Sequence, residues 1–96
     1  MIDLSVYPQR VNGREVRLTP TELRLLRFLV EHPGHAFDQE TLLREAWGWE
    51  PSAHRTNLVD VCVCRLRQKI EPDPKQPQIV QTAVGFGYYF DEDGEQ

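Results

Sequence analysis

Residues 2–18 alternate between apolar and polar side chains, which is the pattern of short β-strands with one buried face. The dipeptide Asn12-Gly13 lies between two alternating stretches and is typical of a two-residue hairpin turn, because both residues tolerate positive φ. We therefore predict an N-terminal antiparallel sheet of short strands. Its apolar positions are Leu4, Val6, Val11, Val16 and Leu18.

The next two stretches have the apolar spacing of α-helices, and residues typical of helix ends flank them. The first helix is predicted at about residues 20–32, where a threonine and a glutamate form a capping box. The second helix follows an aspartate cap and stops at a glycine. The end signals are, in chain order, Thr19 with Glu22, Pro33-Gly34, Asp38 and Gly48.

A third helix is predicted from Thr56 to Ile70, because apolar residues recur there along one buried stripe. Pro72 and Pro74 prevent the helix from continuing. The stripe consists of Val59, Val63, Leu66 and Ile70.

Alternation returns in residues 79–90 around Gly85-Phe86-Gly87, which predicts a C-terminal β-hairpin with positive φ at the glycines. Strands, three helices and a hairpin make an α+β fold of the winged helix-turn-helix type, in which the hairpin is the wing. We assign residues 1–90 to this one domain. Residues 91–96 are acidic and are expected to form a disordered tail.

The formal net charge of −4 disfavours a nucleic-acid partner, but its distribution changes that conclusion. The tail carries four acidic residues, so the rest of the chain is neutral. Residues 55–69 combine four basic residues with the single acid Asp60. A basic element on a neutral body suits phosphate binding. The basic residues are Arg55, Arg65, Arg67 and Lys69.

The sequence contains no assembled catalytic, cofactor or metal-binding motif. His32, His35 and His54 lack the spacing of metal ligands, and no glycine-rich phosphate loop or nucleophile elbow is present. We therefore expect a protein without enzymatic activity, cofactor or metal. No apolar run is long enough to span a bilayer and no secretion signal is evident, so we expect a cytoplasmic protein without a membrane partner.

Cys62 and Cys64 are separated by one residue, so they lie on nearly opposite sides of a helix. A disulfide between them is disfavoured, and reduced thiols in small side chains are the simpler interpretation. A redox-responsive regulator, in which oxidation of Cys64 alters binding, is one open hypothesis.

The outward face of the third helix is the first candidate for a binding site. Arg65 can pair with a guanine edge, and Leu58 and Val61 can meet thymine methyl groups, with Cys62 at the edge of this face. Phosphate contacts that do not read sequence are expected from Arg55, Thr56, Asn57 and Arg67. An ordinary solvated helix face is the competing interpretation.

Three aromatic residues complete the candidate site. Trp47 is expected to close the core, and its indole N–H is also a candidate phosphate donor. Tyr88 either places its hydroxyl near a phosphate or packs at an edge of the core. Trp49 lies in a predicted loop at residues 48–54, where it is either an exposed protein contact or a buried anchor.

In their order and spacing, these motifs resemble the OmpR/PhoB family of winged-helix effector domains found in bacterial response regulators. The resemblance runs from about Leu4 to Phe90. Its motifs are Leu18-Thr19-Pro20-Thr21-Glu22-Leu23, His32-Pro33-Gly34, Leu42-Leu43 through Trp47-Gly48, Arg55-Thr56-Asn57, Val59-Asp60-Val61, Arg65 through Ile70, Gln81-Thr82, and Gly85-Phe86-Gly87-Tyr88 with Phe90.

The resemblance implies a four-stranded N-terminal sheet and a transcription regulator that binds double-stranded promoter DNA, usually as a head-to-tail pair on direct repeats. It implies a receiver domain upstream and a loop that contacts RNA polymerase. The implied DNA contacts are Trp47, Val61, Arg65, Arg67 and Thr82. The implied polymerase loop is Trp49, Glu50, Pro51, Ser52 and Ala53.

The chain departs from the family pattern at several expected contacts. Cys62, Cys64, Val84 and Tyr89 stand where the family often carries histidine or a basic residue. We therefore expect weaker and less salt-sensitive DNA binding than is usual for the family. The main alternative is a winged-helix protein-interaction module with an apolar surface at Leu58, Val61, Trp49 and Phe86.

Overall fold

Three helices and two small antiparallel sheets make up the part of the chain that the structure describes, which is residues 2–50 and 57–94 of this computed structural model. The first sheet has the strand order β1-β2-β3, and the second has the order β4-β6-β5. The elements are β1 (Ile2–Asp3), β2 (Gln9–Val11), β3 (Arg14–Val16), α1 (Pro20–Val30), β4 (Phe37–Asp38), α2 (Gln39–Trp47), α3 (Asn57–Ile70), β5 (Val80–Ala83), β6 (Gly87–Phe90) and a 3-10 turn (Glu92–Gly94).

The N-terminal sheet confirms the predicted hairpin but has fewer strands than expected. Asn12 and Gly13 have φ values of 50° and 84°, and they turn the chain between β2 and β3. The described part of the sheet has three strands, so the expectation of four was wrong. The Asp3 carboxylate accepts hydrogen bonds from both the backbone N–H and the hydroxyl of Ser5, at 3.0 and 2.6 Å. Since this bends the chain just after β1, the following residues do not extend that strand.

The capping box at the start of α1 forms as predicted. The Thr19 hydroxyl accepts from the backbone N–H of Glu22 at 3.3 Å, and the Glu22 carboxylate accepts from the backbone N–H of Thr19 at 3.0 Å. Such a cap contributes about 1 kcal/mol to helix stability. The helix ends at Val30, two residues before the predicted end.

The second helix confirms its predicted ends, but the strand before it was not predicted. Asp38 accepts from the backbone N–H of Thr41 at 2.8 Å, and Gly48 ends α2 at a φ of 72°. Strand β4 has only two residues, too few for alternation to be visible in the sequence. It pairs with β6 and so attaches the wing hairpin to the helices.

The two wing glycines serve different purposes. Gly85 has a φ of 75°, as predicted for the turn. Gly87 does not have a positive φ, so the turn explanation was wrong for this residue. A Cβ atom at Gly87 would lie 1.9 Å from the carbonyl oxygen of Phe37, so glycine is required because β4 packs so closely against β6.

The core lies where the helices meet the second sheet. The predicted stripe of α3 is fully buried, and Leu42, Leu43 and Trp47 of α2 are buried with it. The same cluster contains Leu25, Leu26 and Leu29 of α1 and Ile79, Val80 and Phe90 from the wing side, and it extends to Val11, Val16 and Leu18 of the N-terminal segment.

Glu71 is a buried carboxylate that the sequence analysis did not identify. Its side chain is almost entirely buried and accepts hydrogen bonds from the backbone N–H groups of Gln78, Ile79 and Val80, at 2.9 to 3.1 Å. These bonds satisfy backbone donors at the start of β5. Glu71 therefore ties the end of α3 to the base of the wing.

The acidic segment after the wing continues the fold as far as Gly94. The backbone N–H of Asp91 donates to the carbonyl of Ile79 at 2.9 Å, and the Asn12 side chain donates to the carbonyl of Gly94 at 3.0 Å. Gly94 itself is buried. The segment predicted to be a disordered tail is thus hydrogen-bonded to the domain at Asp91 and Gly94, whereas residues 95–96 lie outside the described part of the chain.

A buried ion pair joins α1 to α3. Lys69 donates to the carboxylate of Glu22 at 2.6 Å, and only 4% of the Glu22 side chain is exposed. Burial opposes ionisation of this carboxyl group, but the hydrogen bonds from Lys69 and Thr19 outweigh it and hold the pKa of Glu22 below its usual value of 4.5. The ionised carboxylate is therefore the form that the fold favours.

We predict that Glu22→Gln lowers the free energy of unfolding by about 1.5–3 kcal/mol at neutral pH, the value of a buried hydrogen bond to a charged group. Because the pKa is lower in the folded state than in the unfolded state, the contribution is complete above about pH 4.5 and is lost as the pH falls through the folded pKa. Urea denaturation between about pH 7 and pH 3 should show the two proteins converging at acid pH. Glu15→Gln, at an exposed ion pair, is the control. A difference that stays constant across this range would contradict the prediction.

Candidate nucleic-acid interface

The outward face of α3 is exposed, as the sequence analysis predicted. Leu58 and Val61 are 42% and 43% exposed, which is high for apolar side chains on a helix that packs into the core. Arg65 is exposed beside them and makes no hydrogen bond or ion pair with the residues that the structure describes. Asn57 is also exposed, at the first position of the helix. This face is available to a ligand.

A groove of about 360 Å³ runs beside this face. Its α3 wall consists of Leu58, Val61, Cys62 and Arg65. The opposite side consists of residues from the start of α1 and the end of α2, among them Thr19, Thr21, Trp47 and Trp49. The face and the groove together form a partly apolar surface with one unpaired cation.

Cys62, which was expected at the edge of the exposed face, is buried, although it lines the groove beside that face; its contact with DNA stays a prediction. It is 6% exposed, because it lies three residues after Val59 and four before Leu66 and so shares their buried side of the helix. Burial, reinforced by the nearby charge of Glu22, raises the pKa of the Cys62 thiol to about 11. Cys64 is the exposed thiol of the pair.

Trp47 closes the core, as predicted, but its indole N–H is already occupied. The side chain is 5% exposed, and its Nε1 donates to the carbonyl of Thr21 at 2.8 Å. The structure therefore gives no support to its predicted role as a phosphate donor. Trp49 stacks on Trp47 with a centroid separation of 5.5 Å and is partly buried against the core, which favours the anchor interpretation.

The loop predicted to contact RNA polymerase is described only at its start. Glu50 is exposed and follows the stacked tryptophan. Pro51, Ser52 and Ala53 lie outside the described residues. Two predicted phosphate contacts, Arg55 and Thr56, lie outside them as well.

Arg67 connects α3 to the wing. Its Nε and Nη2 atoms donate to the carbonyl of Val80 at 3.1 and 2.9 Å, and Nη2 also donates to the hydroxyl of Thr82 at 2.9 Å. The guanidinium carbon lies 5.5 Å from the centre of the Tyr88 ring. Arg67 and Thr82, both predicted as DNA contacts, thus bind each other in the protein alone.

Tyr88 makes a second connection between the wing and α3. Its hydroxyl donates to Asp60 at 2.5 Å, and the same carboxylate oxygen accepts from the side chain of Gln39 at 2.6 Å. Burial raises the pKa of Tyr88 to about 12, and the hydrogen bond to Asp60 adds to this. The hydroxyl therefore remains a donor throughout the neutral pH range. No role was predicted for Asp60 or Gln39, because their contact joins residues that are far apart in sequence.

The basic character of α3 is smaller than its sequence indicated. Lys69 is paired with Glu22, and Arg67 is bonded to the wing. The wing tip adds no cation: Val84 is 94% exposed and Phe86 is 56% exposed. Among the described residues of α3, Arg65 is therefore the cation best placed for an external phosphate or base.

Residues 13–90 match a family model described as "Transcriptional regulatory protein, C terminal". The solved structure of DrrB from Thermotoga maritima, an OmpR/PhoB homolog, superimposes with a TM-score of 0.76 at 31% identity, covering 88% of this chain and 37% of that one. The chain belongs to the OmpR/PhoB family. The resemblance inferred from the motifs and the winged-helix fold are both confirmed, and β5 with β6 is the wing of an OmpR/PhoB domain.

Other relatives are consistent with this assignment. AfsQ1, a transcriptional regulatory protein of Streptomyces coelicolor, is 43% identical over 91 residues, which are 95% of this chain and 40% of AfsQ1. The RstA DNA-binding domain of Klebsiella pneumoniae, solved in complex with the RstA box, has a TM-score of 0.71 at 29% identity and covers 82% of this chain and 77% of that domain. The chain spans between 33% and 40% of the length of the curated relatives that it matches.

The described residues contain neither a candidate membrane span nor a candidate metal-binding cluster. Within residues 2–50 and 57–94, none of the helices combines the length and the apolar character that crossing a bilayer requires. In the same residues, histidine, cysteine, aspartate and glutamate side chains nowhere group in threes as potential metal ligands.

The contrast between the two thiols leads to a prediction for this OmpR/PhoB domain. In the folded protein, iodoacetamide should modify Cys64 and leave Cys62 largely unmodified, because the Cys62 thiol is buried and protonated. Tandem mass spectrometry can locate the label on each cysteine. In urea, where burial is lost, both cysteines should react. Equal labelling of the two cysteines in the folded protein would contradict the orientation of α3 described above.

Proposed function

We propose that this domain binds double-stranded DNA in a sequence-specific manner, as the output domain of a two-component response regulator that controls transcription. The observation that carries the proposal is the exposed face of α3, where Leu58, Val61 and Arg65 lie together and Arg65 has no hydrogen bond or ion pair with a described residue. An α-helix fits the major groove, and an arginine beside apolar side chains suits guanine next to thymine methyl groups. The RstA domain and the AdeR domain are family members solved in complex with DNA.

Further partners belong to the same proposal. A receiver domain upstream, a homodimer on direct repeats of promoter DNA and contact with RNA polymerase through residues 49–53 all follow from membership of the family. Because its target is DNA inside the cell, we propose a cytoplasmic location. The proposed activity is binding, without catalysis or a cofactor.

The central test of the proposal is the substitution Arg65→Ala. We expect it to weaken binding to a duplex selected by the wild-type domain from a random-sequence pool by about 1–3 kcal/mol, the value of a paired arginine–guanine contact. We also expect the variant to distinguish less well between bases at one base pair of the duplex. Fluorescence anisotropy on the selected duplex and on variants of it measures both effects.

Arg24→Ala is the matched control for this substitution. It removes the same charge from an exposed position on α1, where Arg24 lines a different surface together with Glu31 and Glu45. Equal losses of affinity for the two variants would indicate that only the net charge matters. The role proposed for the exposed face of α3 would then be wrong.

Salt dependence tests the electrostatic part of the proposal. The slope of log K against log salt has a magnitude of about 0.9 for each phosphate that a cation neutralises. Since at most Arg55, Arg65 and Arg67 are proposed to approach phosphates, we expect a slope no steeper than about −3 for one bound domain. Titrations of the selected duplex between about 50 and 300 mM salt give this slope. A magnitude near 10 would show that many more cations reach the backbone than we propose.

The competing function is a protein-interaction module, and the exposed side chains of Val84 and Phe86 at the wing tip are the observation that favours it. A domain that selects no duplex from the pool, but binds a protein partner in a way that Phe86→Ser abolishes, would support this alternative. A redox-responsive regulator would instead bind the selected duplex differently before and after oxidation of Cys64.

A further inference from the structure

Three secondary-structure elements meet at the side chain of Asp60. This residue lies in the first turn of α3, Gln39 is the first residue of α2, and Tyr88 lies in the middle of β6. One carboxylate oxygen accepts from both neighbours, at 2.6 and 2.5 Å. Hydrogen bonds to a charged acceptor are stronger than neutral ones. Asp60 therefore joins the wing to α3 and to the start of α2.

Arg67 provides a second attachment of the same wing, seven residues further along α3. The rise of an α-helix places it about 10 Å from Asp60 along the helix axis. It binds Val80 and Thr82 of β5, and Thr82 is the direct cross-strand partner of Tyr88. The contacts thus close a ring that runs from Asp60 to Tyr88, across the strands to Thr82, and through Arg67 back to α3.

This ring adds to the pairing of β6 with β4, which supports one edge of the wing at Tyr88 and Gly87. Val84 and Phe86 extend into solvent, and the buried wing residues Val80 and Phe90 lie at its base. Two attachment points about 10 Å apart restrict rotation of the hairpin in a way that one point does not. The ring and the β4–β6 pairing therefore together restrain the direction of the wing tip relative to the exposed face of α3.

We propose that Asp60 and Tyr88 are positioning residues for DNA recognition. They hold the wing at a fixed orientation to the face formed by Leu58, Val61 and Arg65, and their effect on affinity acts through the wing. This inference rests on the proposed function, because it assigns a task to two residues within the same DNA-binding surface.

Charge alone predicts the opposite effect for Asp60. Its carboxylate is exposed on the side of α3 that would approach phosphates, so a purely electrostatic account has it weakening DNA binding. Removing the charge would then strengthen binding whichever residue replaces it. The positioning account instead makes the outcome depend on whether the replacement accepts hydrogen bonds.

The decisive comparison is Asp60→Asn with Asp60→Ala. Asparagine removes the charge but keeps one oxygen that can accept from Tyr88 and Gln39, whereas alanine removes both. On the selected duplex we expect Asp60→Asn to bind at least as tightly as wild type. We expect Asp60→Ala to bind about threefold to tenfold more weakly than Asp60→Asn, the range of one net hydrogen bond. Equal strengthening by both substitutions would overturn the proposal.

Tyr88→Phe tests the other end of the bond, with Tyr89→Phe as its matched control. Both substitutions remove one hydroxyl, but adjacent residues of β6 point to opposite faces of the sheet. We expect Tyr88→Phe to weaken DNA binding and Tyr89→Phe to leave it unchanged. The double variant Tyr88→Phe with Asp60→Ala should bind DNA no more weakly than the weaker-binding of its two single variants. Additive losses would indicate independent DNA contacts and would overturn the proposal.

Amide hydrogen exchange in the free protein separates this inference from the function on which it rests. We expect Tyr88→Phe to speed exchange in β5 and β6 and to leave α1 unchanged, whereas Tyr89→Phe should not have this regional effect. Unchanged exchange in the wing would overturn the inference even if wild type binds DNA. If wild type selects no duplex, the proposed function fails, and the positioning role fails with it.

Discussion

Burial of one side of α3 is the constraint on which the rest of the molecule depends. The side chains of Val59, Val63, Leu66 and Ile70 are fully enclosed between α1, α2 and the base of the wing. A helix held in this way has no rotational freedom, so its opposite side is presented to solvent in a fixed orientation. The exposed Leu58, Val61 and Arg65, as well as the buried position of Cys62, follow from that single packing arrangement.

The polar interactions extend this constraint to the wing. Glu71 accepts backbone hydrogen bonds at the start of β5, Arg67 holds the middle of β5, and Asp60 holds β6. Their partners are distant in sequence but close in space, and each bond begins at a residue of α3 or just after it. α3 therefore positions the wing. The exposed face of α3 and the wing, which are both proposed to contact DNA, form one unit.

The same interactions explain why counting charged residues gave a misleading description of α3. Two of its cations, Arg67 and Lys69, are engaged in holding the domain together. Their charges still contribute to the long-range potential, but their hydrogen-bonding groups are largely committed to protein acceptors. This leaves Arg65 as the described residue of α3 best suited to specific contact, and it makes the expected salt dependence small.

Features whose causes are local could be predicted from the amino-acid sequence. The capping box at Thr19, the turn at Asn12-Gly13, the left-handed glycine that ends α2 and the buried stripe of α3 each depend on residues within a few positions of one another. Helix periodicity also placed Leu58 and Val61 outside, because the opposite side was so clearly apolar. The motifs that indicate the family are also short and local, so they too could be recognised in the sequence.

The partners of the polar side chains, by contrast, are known only from the folded chain. The pairing of β4 with β6, the requirement for glycine at position 87, and the bonds of Asp60, Arg67 and Glu71 all join segments that meet only after folding. Charged and polar side chains choose partners by proximity in space, and neither hydrophobic periodicity nor turn chemistry contains that information. The same residue types would have been equally compatible with a solvated surface.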